Sequence, residues 1–577
     1  MLTSILKESD DDVADTLLAQ EIQALDLSKH DGALVAPIPL RASGSLPVLN
    51  EKSAAPHIDS ASIHLEGDYQ QAVFLFTDLK NFTTISQKMR PQELVEILNP
   101  IYSTFQSIID KYGTPVGITT VKWESDCLML CGSRNESLEN AKNQVKAMLY
   151  IAHSFSQFVF TYNKQVTGHS FDFCFGIHVG PASKTQVRLK NSGMDPNIQI
   201  DWFGETVNKA SRMESSSHPY QAQVTEDVYV LAKKYFEFTE AHPRTIKSYG
   251  EVLTRFIISP ISTSLKHSAE ASSSSELPRK PMPASSTENN AQRTSSASIT
   301  PLFVRGSSRS QPKLSQDDSS ATFSSPVPRF IKSPQADPMV KIISECHHAV
   351  FLFADIKGFT LLSKRMSSCE LVQQLDPIYA AFEKIIILHG APVGIKIVKW
   401  AGDCIMLCGH TDEETDEQIN KQASTMLYIG YLLSQFMSSY NKKMETQTID
   451  FRFGISIGRA TQIRLRIKEA NGKIRESFDW FGEAVSKASR MEASSHPNQV
   501  QVTKELFEMT KGNFTFTEPL VRQIKSHGEI TTRFLYGPRR KFSNAQTQGN
   551  EEQDCSTASK ETSRKLLGSS RSSSSNK

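Results

Sequence analysis

Nowhere does this chain of 577 residues run to the roughly 18–20 consecutive apolar residues that a membrane-crossing helix needs. Charge of one sign is missing too, since 64 Lys and Arg stand against 62 Asp and Glu for a net charge of +2. That balance removes any bulk attraction to nucleic acid or to an anionic membrane. An acidic block, Asp10-Asp11-Asp12, sits where a signal peptide would place its apolar region, and Leu2 excludes myristoylation. The final Ser-Ser-Ser-Ser-Asn-Lys is no prenylation box. Cysteine is scarce at 8 residues, several inside apolar runs, which suits a reducing compartment. Cys127/Cys131 and Cys404/Cys408 lie four apart, but the Leu-Met-Leu and Ile-Met-Leu between them read as strand. Zinc would need a second pair, so buried thiols are the better reading. These absences predict a soluble, cytoplasmic protein with no nucleic-acid partner and no membrane span.

What is present is a repetition. Phe74-Leu75-Phe76-Thr77-Asp78-Leu79-Lys80-Asn81-Phe82-Thr83 returns as Phe351-Leu352-Phe353-Ala354-Asp355-Ile356-Lys357-Gly358-Phe359-Thr360. Val121-Lys122-Trp123-Glu124-Ser125-Asp126 returns as Val398-Lys399-Trp400-Ala401-Gly402-Asp403, and Asp201-Trp202-Phe203-Gly204 as Asp479-Trp480-Phe481-Gly482. Ser211-Arg212-Met213-Glu214 returns as Ser489-Arg490-Met491-Glu492. The offset between copies is nearly constant and as long as a whole domain, which means duplicated domains, not a solenoid. Between and around the copies lie segments too polar to offset their ordering entropy. Residues 1–68 are expected to be disordered apart from a short helix near Val13–Leu27, as are the Ser/Pro-rich linker 259–340 and the Ser-rich tail 538–577. Two folded units remain, 69–258 and 341–537.

Both units share one order of elements. An apolar strand (Ala72–Thr77; Ala349–Ala354) enters a turn, and a helix runs to about Tyr112 or Leu388. Two strands with a tight turn follow (Gly117–Lys122 and Cys127–Cys131; Gly394–Lys399 and Cys404–Cys408). A long amphipathic helix comes next, over Glu139–Tyr162 and Asp416–Tyr440. An alternating strand (Ser170–Val179; Asp450–Ile457) and a short helix from Gly204 or Gly482 complete the copy. That order predicts an α+β, ferredoxin-like fold, an antiparallel sheet with helices on one face. A lone strand-end aspartate is usually structural. Recurrence of the Asp78/Asp126 pair as Asp355/Asp403, with identical spacing in both copies, argues for function.

As an ordered set, these blocks resemble the class III nucleotidyl cyclase catalytic domain over nearly the whole of both units, with Val-Lys-Trp-Ala-Gly-Asp closest to the soluble, bicarbonate-responsive kind. The resemblance implies two domains packed head to tail as a pseudo-heterodimer, with each active site built from both. One domain holds two Mg²⁺ (or Mn²⁺) on two aspartates; the other supplies base readers, an asparagine, an arginine and a lysine. One ion lowers the pKa of the ribose 3′-hydroxyl, and the other neutralises the triphosphate and the leaving group.

Carried over residue by residue, the first domain has metal aspartates Asp78 and Asp126. Its base pair is Lys122 and Asp201, its asparagine Asn208, its transition-state arginine Arg212 and its phosphate lysine Lys247. The second domain has Asp355, Asp403, Lys399, Asp479, Arg490 and Lys525, but Ser486 stands where the asparagine belongs. The first domain departs at Glu124-Ser125, which replaces Ala401-Gly402. The complete set therefore joins metals on Asp355 and Asp403 to Lys122, Asp201, Asn208, Arg212 and Lys247. Trp202 and Trp480 are expected in the core.

Lysine donates to adenine N1 and aspartate accepts from the 6-amino group, whereas guanine presents the reverse pattern. The expected activity is adenylyl cyclase, ATP to cyclic AMP and pyrophosphate. The alternatives are a guanylyl cyclase and a catalytically weak pseudo-cyclase that regulates by binding nucleotide. A linker of about 80 residues reaches roughly 45–55 Å, enough for one chain to close on itself. The resemblance also suggests a small regulatory ligand such as bicarbonate. Basic residues before Ser295 and Ser543 invite phosphorylation of linker and tail.

Overall fold

A computed structural model describes residues 62–133, 137–166, 170–189, 197–261, 337–411, 414–444, 448–524 and 527–539. The expected helix at Val13–Leu27, nearly all of the linker and all but the start of the tail lie outside them. Among the described residues no helix is long and apolar enough to cross a membrane.

The first domain runs β1 (Ile63–Leu79), α1 (Phe82–Lys88), α2 (Pro91–Tyr112), β2 (Ile118–Trp123), β3 (Cys127–Gly132), α3 (Leu138–Asn163), β4 (Phe173–Leu189) and β5 (Asn197–Phe203). It continues with α4 (Glu205–Ser215), β6 (Ala222–Thr225), α5 (Glu226–Ala232), β7 (Phe236–Phe238), β8 (His242–Ile246) and β9 (Gly250–Pro260). The second domain repeats the order: β10 (Val340–Ile356), α6 (Phe359–Arg365), α7 (Ser368–Gly390), β11 (Ile395–Ala401), β12 (Cys404–Gly409), α8 (Asp416–Lys443), β13 (Phe451–Lys468) and β14 (Ile474–Phe481). It ends with α9 (Glu483–Ser494), β15 (Val500–Thr503), α10 (Lys504–Thr510), β16 (Phe514–Phe516), β17 (Leu520–Ile524) and β18 (Gly528–Pro538).

The sheets place their strands in the order β2-β3-β1-β4-β6-β9-β7 and β11-β12-β10-β13-β15-β18-β16. All ladders are antiparallel except β4–β6 and β13–β15. Strand alternation splits the side chains between two faces. Val73 and Leu75 meet the long helices α2 and α3, while Ala72 and Phe74 meet Ala210 of α4 and Trp202. Helices thus cover both faces, where one was expected, because the small residues Gly176 and Ala210 let α4 lie directly on β4. Trp202 and Trp480 are in the core as expected.

The first strands start earlier than the sequence suggests. Residues 63–68, assigned above to the disordered N-terminal segment, belong to β1, and Val340, assigned to the linker, opens β10. The reason is tertiary. Asp376 Oδ1 accepts the backbone N–H of Ser62 at 2.8 Å and of Ile63 at 3.0 Å, and Asn99 Oδ1 accepts that of Val340 at 2.7 Å. Each anchor reaches across the domain boundary. The cores interlock in the same way. Ile463, Leu465, Ile467 and Phe481 pack into the first domain's core, and Ile63, Val187 and Phe203 into the second's.

Candidate active site

The metal-type aspartates come together through the backbone. Asp355 is one residue from the end of β10, and the N–H of Ile356 donates to the carbonyl of Asp403 at 3.1 Å, pinning the β11–β12 turn beside it. Leu79 donates to Asp126 at 3.0 Å in the first domain. Adjacent central strands thereby turn two aspartates far apart in sequence into a close pair. Burial pushes Asp355 up, with Arg452 opposing it. Burial and the charge of Asp355 push Asp403 well above the usual carboxylate range. Asp78 is pushed up to about 7 by burial and then by Glu214, and burial with Asp78 raises Asp126.

Two half-buried carboxyls that repel each other fit a divalent cation, whose charge would relieve both, and hard oxygen donors suit Mg²⁺ or Mn²⁺. Among the described residues no group of three or more His, Cys, Asp or Glu is placed to hold a metal. The remaining ligands would have to be substrate oxygens or water. Among the described residues the cysteines are free thiols, and burial raises those of Cys127, Cys131, Cys404 and Cys408.

The opposing face of the first cleft comes from the first domain. Lys122 Nζ lies 2.7 Å from Asp201 Oδ1, which also accepts the N–H of Trp202 at 2.8 Å. Burial opposes the charge on Lys122, but Asp201 outweighs it and raises the lysine. Asp201 is 2% exposed, and its Oδ2 has no hydrogen-bond partner among the described residues. Asn208 and Arg212 lie one turn apart on α4. Asn208 Nδ2 donates to Ser363 Oγ of α6, the helix that follows Asp355, at 3.4 Å. Lys247 is exposed in the β8–β9 turn. The next residue in that turn, Ser248, accepts from Lys364 Nζ at 2.7 Å, and Lys364 sits 3.5 Å from the ring centre of Tyr249. Asp201, Asn208 and the turn carrying Lys247 thus each meet the second domain, at Gly402, Ser363 and Lys364.

The second cleft differs at its base readers and at Ser486. Lys399 Nζ lies 3.2 Å from Asp479 Oδ1, but also 2.9 Å from Glu124 Oε2 of the first domain. Ser125 donates its N–H to Asp479 Oδ2 at 2.8 Å. Ser486 Oγ is bonded to His527 Nε2 at 3.1 Å, and Gln87 of α1 meets the same nitrogen at 2.9 Å. Arg490 lies on α9 one turn beyond Ser486. Lys525 lies outside the described residues. A cavity of about 800 Å³ runs along the interface, with Lys122, Lys399 and Asp479 in its wall.

Arg452 escaped the sequence reading. It is the β13 partner of Asp355 in register, and its Nη2 lies 2.6 Å from Asp355 Oδ2 and 2.7 Å from Glu492 Oε1. The matching position of the first copy holds Cys174. Comparing Asp450-Phe451-Arg452-Phe453-Gly454 with Asp172-Phe173-Cys174-Phe175-Gly176 would have revealed it.

Residues 66–259 and 343–537 each match the adenylate and guanylate cyclase catalytic domain. An adenylate cyclase of Mycobacterium tuberculosis is 28% identical over 222 residues, covering 38% of this chain and 47% of that protein. The guanylate cyclase soluble subunit beta-2 of Homo sapiens is 28% identical over 193 residues, covering 33% of this chain and 29% of that protein. The chain thus spans about half or less of the length of these relatives. The crystal structure of a class III adenylyl cyclase-like ATP-binding protein from Pseudomonas aeruginosa aligns over 87% of this chain and 94% of that one, at 13% identity and a TM-score of 0.46. With the two matched segments filling more than half of its length, the chain belongs to the adenylate and guanylate cyclase catalytic domain family.

Proposed function

We propose that the chain is an adenylyl cyclase converting ATP to 3′,5′-cyclic AMP and pyrophosphate in the cleft between Asp355/Asp403 and the first domain. The observation that carries this reading is the buried Asp201 Oδ2, without a partner among the described residues, beside the ammonium of Lys122. An unpaired acceptor next to a donor matches the adenine edge, and a base would reach it by displacing the Gly402 turn packed against it. Guanine would set its N1–H against the lysine and its O6 against the carboxylate, leaving buried groups unpaired at a cost of several kcal/mol.

In this reading Lys122 and Asp201 hold the base, and Asn208 orients the ribose. Arg212 and Lys247 bring positive charge to the phosphate chain. Divalent cations bound by Asp355 and Asp403 would supply acidity to the 3′-hydroxyl and charge neutralisation to the triphosphate. The 3′-oxygen attacks the α-phosphorus, its proton passing to solvent, and the bond to the bridging oxygen breaks to release pyrophosphate. Most of what the protein contributes is position and charge. Bicarbonate as a regulator rests on the resemblance alone, and activity unchanged by bicarbonate at constant pH would remove it.

The test is purified chain with Mn²⁺ and either ATP or GTP, assayed for cyclic product. Cyclic AMP as the dominant product is expected. Cyclic GMP formed at an equal or higher rate would overturn the base reading, and no product from either nucleotide would favour a binding role.

A further inference from the structure

The second cleft has a complete base-reading pair whose hydrogen-bonding groups are already engaged by the protein. Lys399 offers a donor and Asp479 an acceptor, as Lys122 and Asp201 do. Both are already satisfied across the interface, Lys399 by the Glu124 carboxylate at 2.9 Å and Asp479 Oδ2 by the Ser125 N–H at 2.8 Å. An acceptor against the lysine and a donor against the aspartate is the pattern that adenine N1 and its 6-amino group would present. We infer that the Glu124-Ser125 turn occupies the place of the base in the second cleft, so that the chain has one nucleotide site and these two residues decide which cleft it is.

The turn is held in place as its counterpart is, where Tyr379 donates to the Gly402 carbonyl. Tyr102, a fully buried side chain of α2, donates its hydroxyl to the Ser125 carbonyl at 2.6 Å, and Glu124 N–H closes the hairpin on the Cys127 carbonyl at 2.8 Å. Ser125 is 6% exposed. The corresponding turn of the second domain uses Gly402 in the left-handed region, φ +56°, a conformation Ser125 does not share. Gly402 also packs against Asp201 Oδ2 but makes no hydrogen bond to it. Two substitutions thus change the hairpin's backbone path and add a carboxylate of the right reach. The contacts also tie the two domains together with no ligand present.

This inference rests on the cyclase reading for its probe. The full-length chain is titrated calorimetrically with 3′-deoxy-ATP, which cannot cyclise, in the presence of Mn²⁺. One site per chain is expected, weakened at least about a hundredfold by Asp201→Ala, which removes the acceptor. In the Glu124→Ala/Ser125→Gly variant a second, weaker site should appear and survive Asp201→Ala. Two sites in the unmodified chain would overturn the inference. So would a single site in the double variant when its circular dichroism and melting match the parent. Should the double variant not fold, the stoichiometry of the unmodified chain and its response to Asp201→Ala still decide. Binding of one 3′-deoxy-GTP in place of the adenine analogue would sink the adenine reading while supporting a single open cleft.

Discussion

Arg452 Nη2 lies 2.6 Å from Asp355 Oδ2, and the matching strand position of the first domain holds Cys174. The guanidinium also meets Glu492 at 2.7 Å, so it balances two carboxylates at the edge of the first cleft. The corresponding acids of the first domain, Asp78 and Glu214, feel Lys80 instead, with Arg212 a lesser influence on Glu214. Both are pushed up to about 7, burial being the main cause. The two metal-type aspartate pairs are therefore unequal in charge as well as in their opposing faces.

Replacing Arg452 by Cys, the residue of the other copy, should lower kcat/KM about 10- to 100-fold. A charge-assisted hydrogen bond contributes about 1.5–3 kcal/mol, and this pair is partly solvated. Cys174→Arg should change activity less than about twofold, since the proposed function places the reaction in the other cleft. Steady-state rates across a Mn²⁺ titration check both. Equal losses would contradict the asymmetry.

Gly176→Ala should cost both fold and activity. A Cβ there would lie 1.9 Å from the backbone N of Glu214 and 2.5 Å from the carbonyl of Ala210. Helix α4 would have to lift from β4, carrying Asn208 and Arg212 with it. Overpacking of this kind costs about 2–3 kcal/mol, roughly 5–10 °C in Tm for a domain of this size. Thermal melting and activity should fall together, and an unchanged Tm would show that α4 does not bear directly on the strand.

Acid should destabilise the second domain through His389. Burial holds this side chain, 6% exposed near the end of α7, down to about 4. In the unfolded chain it titrates near 6.5, so the unfolded state binds the proton first. Stability is therefore full above pH 6.5 and is lost as pH falls towards 4. At pH 5 the loss is about 2 kcal/mol, from about 1.4 kcal/mol per pH unit. Urea midpoints at pH 7 and pH 5 should show it, and His389→Leu should shrink the difference. An identical pH response in that variant would remove the assignment.

The duplication carried most of the fold into view. Strand–helix–hairpin order, the paired aspartates and the base readers all recur, so comparison of the two copies exposes them with no structure at all. Tertiary effects were hidden. Ile63 and Val340 join strands because Asp376 and Asn99 reach them from the other domain, and no local pattern signals that. Glu124 stood out as a bulky departure beside a metal aspartate, yet its partner Lys399 lies across the interface. Departures from a repeat are visible in one dimension; what they touch is not. Arg452 was overlooked for the opposite reason, since an arginine alternating with phenylalanines reads as the solvated side of a strand.

The most direct test of the assignment is the rate of cyclic AMP formation by Asp355→Ala and Asp78→Ala chains, measured side by side at saturating ATP and Mn²⁺. Loss of a metal ligand from a phosphoryl-transfer site removes several kcal/mol of transition-state stabilisation, so Asp355→Ala should fall at least about 10³-fold. Asp78→Ala should keep activity within about tenfold of the parent, because its cleft already has Glu124 and Ser125 on the base readers. The reverse order, with Asp78 essential and Asp355 dispensable, would contradict the account.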